Sequence, residues 1–378
     1  MIKIVHFNFN NKYNLNIGDQ AHVYAIQETL SDLSDEPIEF KTKSIKLLGR
    51  QVIPNLLRYP AARHYPTFIQ NIYRILIGES YNKLVRECNE ADLVLIGGGG
   101  FFMSNLFPLN NKLINQFSVP IVLFGVGYNQ NLGSPDFTEQ QNESVKVLAD
   151  KASLIAVRDA RSVNFLKKLG IKSKLMCDPA IFLRETSFNA IPKDSHLKIG
   201  INLARHEWNM QAQLTDTLVD SYSQLIKDAR LVKDVRLYYF VHQPTEELYI
   251  ELFKQKGVLF DYIVKTDDSR ELKAAYGEMD LTVSMMLHST ILAFGAGTPS
   301  ISIGYDKKNA AFMKLTDQYD RYMSIDNLSN DALKQIFYKT INDIDAAKKS
   351  VLITKQLLRP LYIELAKDVI KIAKNSKL

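Results

Sequence analysis

The stretch SMMLHSTILAFGAGTPSISIGYDKK, residues 284–308, decides the fold. An apolar run, LTVSMM (281–286), stops just before Leu287 and His288, and small and apolar residues then recur at helical spacing. Gly297 and Pro299 close that helix, and a second apolar run, SISIGY (300–305), follows. Neither run alternates strongly between apolar and polar residues, so both faces of their sheet are covered. Two such strands joined through a helix run parallel, and this strand–helix–strand unit marks an α/β protein. Its one imidazole sits at the turn where the helix starts, at the carboxyl end of a strand.

The same alternation extends outward in both directions. Strands are expected at IKIVHF (2–7), DLVLIGG (92–98), PIVLFGVG (120–127), LIAVRD (154–159), KIGINLA (198–204) and VRLYYFV (235–241). Helical patterns fall between them at 19–33, 161–170 and 214–230. Around 184–197, RETSFNAIPKDSHL, the pattern breaks into polar residues before a new strand starts. A chain of 378 residues suits two cores of roughly 150–200 residues each. The expected architecture is two Rossmann-like, doubly wound domains, residues 1–190 and 191–350, facing each other across a cleft. Residues 351–378 form a basic amphipathic helix expected to pack back on the first domain. In such sheets ligands bind outside the carboxyl ends of strands.

Composition narrows the class. Hydrophobic residues make up 46% and charged ones 23%, normal for a globular enzyme. The net charge of +6 is mild at this length and suits an anionic small substrate or an anionic membrane face; base-reading motifs are missing, so nucleic acid is not an expected partner. Cys88 and Cys177 stand far from any second cysteine or histidine cluster and read as buried thiols in a reducing compartment. The amino terminus reads as a core strand rather than a signal peptide, and no window has the roughly 18 apolar residues needed to cross a bilayer. A cytoplasmic location is expected. Residues 50–78 mix four arginines with aromatic and aliphatic residues, which fits either a surface docking on anionic lipid or a packed insertion.

Several strand ends carry chemistry. NLNIGDQA (14–21) opens a helix after the first strand, with Gly18 for a tight turn and Asp19 as a helix cap. LIGGGGFF (95–102) sets Gly97, Gly98, Gly99 and Gly100 after a strand, and FGVGYN (124–129) repeats the idea on the next, so the two ends form one binding floor. The first is not G-x-G-x-x-G, which argues against a nicotinamide fold. Arg158 ends a strand, either pairing within the turn or reaching a ligand, and Asp178 in CDPAIF reads as architecture. Arg205 lies just past the first strand of the second domain, where a guanidinium can grip phosphate or carboxylate. His288 stands at a cleft wall, and Lys308 returns to that wall one strand later. No His/Asp/Glu group has metal-ligand spacing, so no metal is expected.

Taken in order, NIGDQA, DLVLIGGGG, FGVGYN, VRDARSVNFLKKLGI with CDPA, GINLAR and LHSTILAFGAGTPSISIGYDKK resemble the polysaccharide pyruvyl transferase family, over residues 14–308. The resemblance implies a glycosyltransferase-B-like domain pair. It also implies phosphoenolpyruvate as donor substrate with no separate cofactor, and a pyruvate ketal on a sugar of a capsule, exopolysaccharide or cell-wall polymer. The first domain then takes the saccharide acceptor, free or lipid-linked, and the second the donor. His288, in the family's Leu-His pair, is carried over as the acid that protonates the enol, since imidazolium is available near neutral pH. Arg205, Lys308, Arg158 and the helix start at Ser289 are carried over to the donor. Asn16, Gly18 and Gly97 to Gly100 go to the acceptor, with Asp19 as base for its hydroxyl. The family reads Arg-Leu-His where this chain has Met286, Leu287 and His288. A nucleotide-sugar glycosyltransferase and a non-catalytic glycan-binding protein are the alternatives. A peripheral contact with the inner face of the membrane is a further expectation.

Overall fold

The computed structural model describes residues 1–9, 16–48, 82–103, 109–129, 136–204, 212–232 and 234–377. The expected strands are all present, with small shifts at their ends: β1 (Ile2–Asn8), β3 (Leu93–Gly97), β4 (Ile121–Val126), β5 (Ala152–Val157), β7 (Leu197–Asn202), β8 (Val235–Phe240), β10 (Leu281–Ser284) and β11 (Ser300–Gly304). Four more strands had no clear signal in the sequence: β2 (Ile38–Ser44), β6 (Lys174–Leu175), β9 (Tyr262–Val264) and β12 (Tyr322–Ser324). These four are the outer strands of two six-stranded sheets, ordered β2-β1-β3-β4-β5-β6 and β12-β11-β10-β7-β8-β9. An edge strand is paired on one side only and is kept short or polar, so it lacks the apolar run that betrays a central strand. β2, IEFKTKS, is the clearest case.

All pairings between strands are parallel. In the first sheet the chain leaves β1 for β2 and then crosses to β3 on β1's other side. In the second it runs outward from β7 to β9 and returns to β10 beside β7. Each reversal opens a crevice at the carboxyl ends of the two diverging strands. The first crevice is bounded by helix α1 (Ile17–Leu33) and the glycine run after β3; the second by Asn202 at the end of β7 and by helix α4 (Leu287–Ala296) after β10. Three further helices frame the site: α2 (Ala160–Lys168) after β5, α3 (Ser269–Gly277) before β10, and α5 (Lys307–Leu315) after β11. Gly297 ends α4 in a left-handed conformation, φ 92°, which a residue with a Cβ adopts at a cost.

One apolar cluster bridges the two domains. Ile17, Ala21 and Leu30 of α1 share it with Leu287, Ile291 and Phe294 of α4 and with the terminal helix α6 (Ile344–Asn375). α6 starts before the expected residue 351 and does pack on the first domain: the buried Tyr362 stacks on Phe182 at 4.8 Å and donates to the Ala25 carbonyl at 3.3 Å. Among the described residues no helix is long and apolar enough to cross a membrane. The basic stretch at 50–78 lies outside the described residues.

Lys273 of α3 pins the segment between the domains. Its ammonium is buried and donates to the carbonyls of Ile181 at 2.9 Å and Leu183 at 2.6 Å, with Glu185 at 3.5 Å. Burial lowers its pKa to about 8. Lys273→Met would leave both buried carbonyls without this donor, and such groups cost about 1–3 kcal/mol when unsatisfied. The expected outcome is a lower midpoint in urea unfolding, with an unchanged slope.

Candidate active site

The two crevices meet in one cavity of about 420 Å³ between the domains. Its first-domain wall includes Asn16, Asp19, Gly99, Gly100 and Arg158; its second-domain wall includes Glu246, Met286, His288 and Lys308.

On the first-domain side, Asn16 rather than Asp19 caps α1. Its backbone is extended, and its side-chain oxygen accepts the Gly18 N–H at 3.0 Å. Asp19 is thereby left in the first turn, facing the cavity. Gly18 answers a steric demand rather than a turn: a Cβ there would lie 2.0 Å from His288 Nδ1 and 2.1 Å from its Cγ. The two domains touch at this glycine and this imidazole.

Of the four-glycine run, Gly99 and Gly100 line the cavity. Gly97 instead packs against His6, and Gly98 against His22. Gly98 and Gly99 both have positive φ, 74° and 76°, which turns the chain back along the next strand end. There Gly127 N–H donates to the Gly99 carbonyl at 2.9 Å, and Phe102 N–H to the Gly127 carbonyl at 3.0 Å. The two glycine-bearing ends do form one floor.

Beneath that floor lies a buried polar chain that sequence reading missed. His22 Nε2 sits 2.9 Å from Asp178 Oδ1, and Arg158 Nη1 donates to Asp178 Oδ2 at 2.9 Å. Burial opposes ionisation of Asp178, yet His22 and Arg158 hold its carboxyl well below the usual carboxylate range. Asp178 is thus the counter-charge of the site as well as the cap of the turn Pro179–Phe182. Arg158 lines the cavity with part of its charge committed to that carboxylate. His22 was foreseeable: it shares a helix face with Asp19, three residues earlier.

On the second-domain side, α4 begins at the cavity with Met286 as a cap that makes no side-chain hydrogen bond. Its amino-terminal N–H groups and their partial positive charge therefore face the cleft. The Ser289 hydroxyl is turned inward, 2.9 Å from Tyr276 Oη and 3.0 Å from His242 Nε2. Any part Ser289 plays toward a ligand falls to its backbone. Lys308, in the first turn of α5, lies 3.7 Å from Asp306 and over the Tyr305 ring at 5.3 Å. Arg205 lies outside the described residues.

His288 is half-buried, with its ring centroid 5.2 Å from that of His22. Burial above all, joined by His22 and opposed by Asp178, pushes its imidazole well below the ordinary range. These neighbours disfavour the imidazolium expected from the sequence. Asp19, His22 and His288 each present a ligand-type atom within 4.8 Å of the others. Metal-ligand spacing was absent along the chain but arises in space, because α1 and α4 come from different domains.

Other proteins share the sequence pattern and the fold of this chain. A model of the family described as polysaccharide pyruvyl transferase matches residues 16–307. The Amylovoran biosynthesis protein AmsJ of Erwinia amylovora is 20% identical over 92% of this chain and 88% of its own. Among solved structures, the S. aureus MnaA–UDP complex aligns with a TM-score of 0.56 at 12% identity, over 93% of this chain and 91% of that one. Acinetobacter baumannii MurG aligns with a TM-score of 0.54 at 12% identity, over 98% of this chain and all of that one, 100%. These likenesses establish the glycosyltransferase-B-like pairing of two parallel-sheet domains. The family pattern runs from the Asn16 cap of α1 to the start of α5 and so takes in both walls of the cavity: the chain belongs to the polysaccharide pyruvyl transferase family.

Proposed function

We propose that the protein transfers a pyruvyl group from phosphoenolpyruvate to a sugar of a cell-surface polysaccharide or its lipid-linked precursor, forming a ketal. The observation that carries this reading is His288 at the cavity end of α4, among Lys308, Arg158 and the free helix start. The donor carries a phosphate and a carboxylate, and these cationic and N–H groups suit both.

His288 gives a proton to the methylene carbon of the enol, leaving an oxocarbenium-like carbon that a sugar hydroxyl attacks. That hydroxyl loses its proton to Asp19. The carbon–oxygen bond to phosphate then breaks, phosphate leaves with the proton held by Asp19, and a second hydroxyl of the sugar closes the ketal on the same carbon, returning its proton to His288. One donor and one diol thus yield one ketal and one phosphate.

A neutral His288 must first gain its proton, and the donor's negative charge favours that step. Donor binding at pH 7 is expected to take up protons. Calorimetry in buffers of different ionisation enthalpy measures it; release of a proton would contradict the assignment. The reaction itself is tested by incubating the protein with phosphoenolpyruvate and lipid-linked saccharides, following phosphate release and a pyruvyl gain on the glycan by mass spectrometry. Consumption of a nucleotide sugar alone would refute the reading. A lipid-linked acceptor would bring the enzyme to an anionic membrane face, which flotation with anionic vesicles at low salt measures.

A further inference from the structure

Glu246 puts a carboxyl into the wall of a cavity that, on the reading above, receives an anion. It belongs to the short turn Pro244–Glu247 after β8 and is 2% exposed. Two donors converge on its Oε2: the His242 N–H at 2.8 Å and Asn202 Nδ2 at 3.1 Å. Among the described residues its Oε1 has no hydrogen bond and no ion pair holds the group. Asn202 also accepts the Met286 N–H at 3.3 Å, so it ties Glu246 to the start of the helix that carries His288.

We propose that Glu246 is a donor-binding residue: as a neutral carboxylic acid it gives a hydrogen bond from Oε1 to an anionic oxygen of the donor. This rests on the donor being phosphoenolpyruvate. An ionised carboxylate at this wall would repel that ligand, whereas the acid form donates to it without adding charge. Burial raises the Glu246 pKa to about 8, although both N–H donors favour ionisation.

Several titratable groups surround Glu246. Burial lowers His242, on its own loop, to about 3. Tyr239, which donates to the Glu246 carbonyl at 3.1 Å, and Tyr276 of α3 are raised well above 10 by burial. Tyr249 follows on the next helix, His288 and Lys308 share the wall, and Arg158 and Asp19 face it across the cleft. Because the folded pKa is raised, the acid form persists at neutral pH and is lost as pH rises through about 8.

The test is the dissociation constant of phosphoenolpyruvate from about pH 7 to about pH 9, for the full chain and for Glu246→Gln. Above the Glu246 transition the wild type is expected to weaken by up to about tenfold more per pH unit than proton uptake at His288 alone would give. In Glu246→Gln the amide N–H replaces the acid proton at every pH, so binding should stay near the wild-type value at pH 7 and fall less steeply above it, keeping only the slope set by proton uptake at His288. Infrared difference spectra of wild type against Glu246→Gln, without donor, should show a carboxylic acid band at pH 7 that fades at higher pH. Parallel binding profiles, or absence of that band, overturn the proposal. If phosphoenolpyruvate binds neither protein at any pH, the donor assignment itself falls and the subsite falls with it.

Discussion

His288→Gln is expected to lower turnover of phosphoenolpyruvate by about 10²–10⁴-fold, the range for loss of a positioned acid. Glutamine keeps an N–H donor of similar reach but has no titratable proton for carbon. Donor affinity should change much less, because Lys308, Arg158 and the start of α4 remain. Proton uptake on donor binding should vanish in the same variant, which separates an acid from a mere spacer. A variant that keeps near wild-type turnover would remove His288 from the chemistry.

Gly18→Ala is expected to do nearly as much harm from the opposite domain. The added methyl would fall 2.0 Å from His288 Nδ1, well inside contact distance, so the ring or the domain contact must shift. Displacements of about 1 Å near reacting atoms cost on the order of 10²-fold. Overpacking of this kind also destabilises by about 1–3 kcal/mol. The φ of Gly18 is one that alanine can adopt, so the penalty is steric and depends on the ring. In a His288→Ala background the methyl has room, and the stability loss from Gly18→Ala should largely disappear. Thermal or urea unfolding of the four proteins in this cycle measures it; additive losses would mean that the close approach does not carry the effect.

These two residues illustrate what the sequence makes legible. The central strands announce themselves because both their faces are covered, and the turn at His288 is visible as the point where the 281–286 run ends. The positions of Gly18 and Asp19 after β1 likewise follow from a strand end and a helix start. What could not be read is contact between the domains. Nothing local says that Gly18 exists to admit an imidazole 270 residues away, or that His22 and Asp178 share a buried hydrogen bond. Asp178 looked architectural because a rigid proline follows it, and the structure gives it a charge role as well. Gly97 and Gly98 were read as ligand floor but make room for His6 and His22. Ser289 looked available at a helix start, yet its hydroxyl closes a hydrogen-bond triangle with Tyr276 and His242. The protonation state of His288 was misread for the same reason, since burial and neighbouring positive groups come from chain-distant elements.

The central claim is that His288 delivers a solvent-derived proton to the methylene carbon of the donor. Running the reaction in deuterium oxide and recording the methyl group of the ketal by NMR tests it directly. A CH₂D group on the pyruvylated sugar, formed by the wild type and lost with turnover in His288→Gln, is the expected result. A methyl group free of deuterium, or deuterated product formed by His288→Gln at the wild-type rate, would contradict it.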